Sequence, residues 1–114
     1  MSAEPARSAG AAAPVFAALG DTTRLHLLQR LSAEGELSIT RLSEGTGMSR
    51  QAITRHLQTL DRVGLVEDRR EGRERVYSLD RKRLEVARRY LDEVSAQWDA
   101  AADRLKHFVE SDDS

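Results

Sequence analysis

The sequence predicts a mainly α-helical domain with one small β-hairpin, and three observations carry that expectation. Apolar residues recur at helical spacing in four short stretches between Ala11 and Val63, and again without interruption from Leu84 to Phe108. Gly20, Gly35, Gly45, Gly47 and Gly64 punctuate the short stretches where helices would end. Strand-forming character is confined to two runs on either side of Glu71-Gly72. With 114 residues the chain fits a single domain.

Met1 to Gly10 is small, polar and aperiodic, and 1–10 is expected to be a disordered leader. A first helix then runs from Ala11 to Leu19 and stops at Gly20. Asp21 or Thr22 caps a second helix, whose apolar stripe is Leu25, Leu28 and Leu31, joined by Leu27; Gly35 breaks it. Ser38 caps a brief third helix that turns Ile39 and Leu42 inward, and Gly45 to Gly47 form a tight turn. Ser49 caps the fourth, over 49–63. There Ala52, Ile53, Leu57 and Leu60 share one face, while Arg50, Gln51, Thr54, Arg55 and Gln58 lie on or near the other. After Gly64, Leu65 to Arg70 and Arg73 to Leu79 read as a hairpin with a charged tip. From Asp80 to about Glu110 neither Gly nor Pro occurs, which predicts one long helix. The order is helix-helix-helix-helix-strand-strand-helix, with a domain over 11–110 and an acidic tail over 111–114.

The last helix has more than simple amphipathicity. Leu84, Ala87, Leu91, Val94, Trp98, Ala101, Leu105 and Phe108 alternate spacings of three and four, which is a heptad seam. The elements before it are too short to cover such a seam, so a dimer interface is expected, with Val15 and Phe16 of the first helix contributing. The alternative is an intramolecular core helix lying across the domain.

The formal net charge of -1 hides a gradient. Residues 1–48 hold 4 basic and 5 acidic residues, 49–89 hold 12 and 7, and 90–114 hold 2 and 7. A basic block over the fourth helix and hairpin suggests a local anion-binding surface, and the acidic end suggests a segment with another task. The absence of cysteine excludes disulfides, thiolate metal sites and cysteine nucleophiles. Glu4 and Pro14 argue against a secretory signal, and no apolar run is long enough to span a bilayer, so a cytoplasmic protein is expected, without a membrane partner. No Gly-rich phosphate loop, Ser-His-Asp set or paired carboxylates point to an enzyme. Aromatics at 4% disfavour a reader that stacks on single-stranded bases.

A short helix, a glycine turn, a second helix and a basic hairpin in this order describe a winged helix-turn-helix. The fourth helix fits the roughly 12 Å major groove of duplex DNA. Arg50 and Arg55 can bind guanine or phosphate, Gln51 can pair with adenine, and Ser49 and Thr54 can reach phosphate oxygens or a thymine methyl. Around Gly72, Arg69, Arg70, Arg73 and Arg75 can reach phosphates or a narrow minor groove. Glu67, Asp68, Glu71 and Glu74 oppose them, so only some of these arginines are expected to face DNA.

Three segments carry a resemblance: Leu19-Gly20-Asp21-Thr22-Thr23-Arg24, Met48-Ser49-Arg50-Gln51-Ala52-Ile53-Thr54-Arg55-His56-Leu57, and Arg70-Glu71-Gly72-Arg73-Glu74-Arg75-Val76-Tyr77-Ser78-Leu79. Over about residues 15 to 110 the chain resembles the ArsR/SmtB-like winged helix-turn-helix transcriptional regulators, typically homodimeric bacterial repressors. Thr22 stands where that family usually has Pro. The resemblance implies recognition-helix positions for Ser49, Arg50, Gln51, Thr54 and Arg55, and wing positions for Arg73 and Arg75. His56 falls in a His-Leu pair common in the family and is either a phosphate contact or a helix residue satisfied by a neighbour.

Metal sensing is not expected, and no cofactor is. Ser38 and Thr40 stand where thiolate sensors carry cysteines, and hydroxyls are poor soft-metal ligands. His107 and Glu110 match half of the family's terminal-helix zinc site, but Val94 and Ala96 occupy the other half. The resemblance is therefore to the metal-independent branch: a homodimeric repressor on a palindromic operator, with an unidentified small-molecule inducer left open. Two alternatives remain: a helix-mediated protein-interaction module on the same fold, and a regulator sensing a small apolar molecule near Trp98 at the dimer interface.

Overall fold

The computed structural model describes residues 4–112. In chain order it holds α1 (Glu4–Leu19), α2 (Thr22–Glu34), β1 (Leu37–Ser38), α3 (Ile39–Ser43), α4 (Arg50–Arg62), β2 (Val66–Glu71), β3 (Glu74–Leu79) and α5 (Arg81–Asp112). Three caps start helices where the sequence places them. Asp21 accepts from the Arg24 N–H at 3.0 Å, Ser38 from Arg41 at 3.1 Å and Ser49 from Ala52 at 3.1 Å. Each satisfies one of the backbone donors that a helix start leaves unpaired.

One core joins α2, α3, α4 and the sheet. Leu27, Leu31, Leu42, Ile53, Leu57 and Leu60 are essentially inaccessible to solvent. In α4 the apolar face expected from spacing is the buried one, which leaves its polar face outward. Gly64 follows with φ of +79°, a left-handed conformation that L side chains rarely adopt, and turns the chain into β2.

The structure corrects some expectations and extends the hairpin. Residues 4–10, placed in a leader, belong to α1. Pro5 stands in the first turn, where its missing N–H forfeits no bond, and the alanine run Ala11 to Ala13 has the highest helix propensity. Residues 1–3 lie outside the described residues. Leu25 is 49% exposed rather than part of the stripe. The buried face of α2 centres on Leu27, Leu28 and Leu31, and Leu25 lies about 110° round the helix from it. The hairpin becomes a three-stranded sheet in the order β1-β3-β2, because Leu37 and Ser38 pair with Tyr77 and Val76 of β3. A two-residue strand has no periodicity to detect. At the other end, Ser111 and Asp112 of the acidic tail continue α5.

α5 begins where the Asp80 side chain accepts from the Lys82 N–H at 2.9 Å. Its first turns pack on α1, and Phe16 and Tyr90 meet edge to face with ring centroids 5.9 Å apart. Beyond Tyr90 its seam is bare among the described residues: Leu91, Val94, Trp98, Leu105 and Phe108 are all exposed, Trp98 by 75%. The molecule is consequently elongated, 72 × 30 × 21 Å. Val15, expected at the dimer interface, is 2% exposed and Ala87 5%, so both serve the chain's own core. Leu84 is partly buried against that core, and Ala101 is half-buried. Among the described residues no helix is long and apolar enough to cross a membrane.

Candidate nucleic-acid interface

α3, the Gly45 to Gly47 turn and α4 form the helix-turn-helix, and Ser49 starts the second helix at the surface. One polar cluster ties α4 to the α1–α2 joint. Arg24 donates from Nε to the Ala18 carbonyl at 2.5 Å and from Nη2 to the Ala17 carbonyl at 3.4 Å, which caps the end of α1. Its Nη1 lies 3.3 Å from Nδ1 of His56 on α4. A guanidinium has no acceptor, so Nδ1 accepts here and the ring proton of a neutral His56 sits on Nε2. Asp21 lies 3.8 Å from the same Nδ1. The Arg24 N–H it accepts lowers the Asp21 pKa below the ordinary 3.8, against desolvation, with further help from the Arg24 charge. The structure thus gives His56 a structural partner on one nitrogen and leaves a donor on the other.

Along the outer face of α4, Arg50, Gln51 and Arg55 are exposed. The hydroxyls beside them are already engaged. Ser49 Oγ accepts its capping bond, and Thr54 donates to the Arg50 carbonyl at 2.7 Å. Ser49 retains its O–H as a donor, whereas Thr54 offers chiefly its methyl group.

The wing sorts its four arginines into two kinds. Arg69 binds Glu36 at 2.6 Å and Glu71 at 3.1 Å, and Arg75 pairs with Asp68. The hydrogen bond from Arg69 holds the Glu36 pKa below its usual value, and Glu36 in turn raises that of Arg69. Arg70 and Arg73 are exposed and, among the described residues, have no carboxylate partner. Gly72, with φ of +62°, makes the tight turn that sets these two at the tip.

Three roles were not found by sequence reasoning. Arg24 acts as a joint between α1, α2 and α4, Glu36 restrains the wing, and Glu74 accepts from Thr40 Oγ1 at 2.7 Å while standing 3.9 Å from Arg50. Glu74 had one detectable signal. In the hairpin it is placed directly opposite Glu71, and such a like-charge pair needs cations from elsewhere. Among the described residues, no three His, Asp or Glu side chains come together in a way that could hold a metal.

Comparison with known proteins agrees with this geometry. Residues 19–69 match the model of a helix-turn-helix domain family. The HTH-type transcriptional regulator Rv2034 of Mycobacterium tuberculosis is 36% identical over 95 residues, spanning 83% of this chain and 85% of that protein. The arsenical resistance operon repressor of Escherichia coli is 32% identical over 95 residues, 83% of this chain and 79% of the repressor. An ArsR-like transcriptional regulator from Rhodococcus sp. RHA1 superimposes with a TM-score of 0.75 at 36% identity, covering 87% of this chain and 92% of that one.

Proposed function

The chain belongs to the ArsR family of helix-turn-helix transcriptional regulators and is a DNA-binding regulator; we propose that it is a cytoplasmic homodimeric repressor reading a palindromic operator. The observation that carries the reading is the outward face of α4, where Arg50, Gln51 and Arg55 stand exposed, together with the exposed wing arginines Arg70 and Arg73. Arg50, Gln51 and Arg55 read base edges in the major groove, with Ser49, Thr54 and His56 Nε2–H on phosphates or a thymine methyl. Arg70 and Arg73 hold the backbone. Arg69 and Arg75 shape the wing through their carboxylates and reach DNA less.

The bare seam of α5 supports the dimer. Five basic residues and one acidic lie between Arg81 and Arg89, against six acidic and two basic from Asp92 to Asp112. Two copies laid antiparallel put each basic end beside an acidic one. Centred between Val94 and Trp98, that pairing sets Leu91 opposite Ala101, large against small. The partner's Phe108 then enters a groove of about 550 Å³ bordered by Phe16, Leu19, Leu79, Leu84 and Leu91. A second reading, docking of an unrelated partner helix, rests on the same bare seam.

Sedimentation separates the two readings, since a stable monomer would favour the second. For the operator, duplexes selected from a random pool and titrated by anisotropy should show a log-log salt slope near -0.9 per neutralised phosphate. Gln51→Ala should relax sequence preference, whereas Arg73→Ala should weaken all duplexes alike. Equal affinity for every duplex at physiological salt would remove the operator claim.

A further inference from the structure

Glu74 sits at the meeting point of three elements, the wing, α3 and α4. It starts β3 at the wing, its Oε1 accepts from Thr40 Oγ1 of α3 at 2.7 Å, and the same oxygen lies 3.9 Å from Nη2 of Arg50, the first residue of α4. Its Oε2 is buried without a hydrogen-bond partner among the described residues. A buried carboxylate oxygen left unpaired is costly, so the group draws in the nearest donor not yet committed. The cation closest to this carboxylate among the described ion pairs is the Arg50 guanidinium, 3.9 Å from Oε1, whose N–H groups divide between two edges. One edge can hold Glu74 while the other faces outward.

We propose that Glu74 is a specificity-determining positioning residue: from the wing it holds the Arg50 guanidinium off the phosphates and aimed at a base edge. The inference rests on α4 being the element that enters the groove. A guanidinium on a free stem finds a phosphate on any duplex, because phosphates are everywhere and bases in register are not. Held by Glu74, Arg50 contributes little to random DNA and a fixed fork to the right base. Thr40 keeps the carboxylate in place through the docking.

The test compares the full-length parent with Glu74→Gln, Arg50→Ala and the double variant. Each is titrated by anisotropy on a duplex selected by the parent from a random pool and on a scrambled duplex of equal length. Glutamine keeps the shape and can still accept from Thr40, so the thermal midpoint should stay that of the parent. In Glu74→Gln the freed Arg50 should bind phosphate: affinity for the scrambled duplex rises and its salt slope steepens by about 0.9. Preference for the selected duplex should fall about tenfold. In the Arg50→Ala background the same change should alter neither slope nor preference.

If Glu74→Gln tightens both duplexes equally in both backgrounds, Glu74 acts by its own charge and the inference is overturned. Should Arg50→Ala lose preference while Glu74→Gln keeps it, the inference fails and the α4 reading stands. If Arg50→Ala changes neither duplex, the assignment of Arg50 to the groove fails and this inference falls with it.

Discussion

Single side chains in this molecule are legible in proportion to how local their task is. The caps Asp21, Ser38 and Ser49 bind backbone three residues ahead, so sequence alone placed them. Ser49→Ala should cost about 1 kcal/mol, because an orphan N–H at the start of α4 then has only water. A thermal midpoint lowered by roughly 4 °C would be the reading. Asp21 gives a pH signature. Its pKa is lowered in the folded chain, so its stabilising contribution is full above the ordinary 3.8 and lost as pH falls through the folded value. Asparagine also caps, so the urea midpoint of the parent should exceed that of Asp21→Asn near neutrality and converge on it in acid. The partners of Arg24, Glu36 and Glu74 were hidden for the opposite reason: His56, Arg69 and Thr40 are more than thirty positions away in sequence. Only the fold brings them together.

Elements were recognised where their periodicity is long and missed where it is short. α4 and α5 announce themselves through 13 and 32 residues of patterned sequence. β1 has two residues, and its existence depends on β3 passing beside it. It nonetheless turns a marginal two-stranded wing into a sheet anchored next to α3. Among the glycines, the one joining α4 to β2 is the most crowded. A Cβ on Gly64 would lie 2.9 Å from Cγ of Arg83 and would occupy a φ of +79°. Arg83 can swing away but the backbone cannot, so Gly64→Ala should destabilise by about 1–2 kcal/mol in chemical denaturation. Gly72→Ala, with open space around it, should pay only the conformational part.

At the scale of the whole molecule, α5 decides the shape. A helix of 32 residues is about 48 Å long, and among the described residues its first turns alone pack on α1. Trp98→Ala and Leu105→Asp should leave the fold intact, since both side chains are exposed, yet shift the chain to monomer in sedimentation and abolish tight operator binding. The helix was legible in the sequence because its heptads are unbroken; the extent of bare surface was not, because it depends on where α1 stops packing. That bare seam has a bearing on gene dosage. Where pairing is weak at cellular concentrations, the DNA-competent species scales with the square of the number of chains. Halving expression would then cut occupancy toward a quarter, so a regulator that binds as a dimer responds to its own abundance more steeply than in proportion.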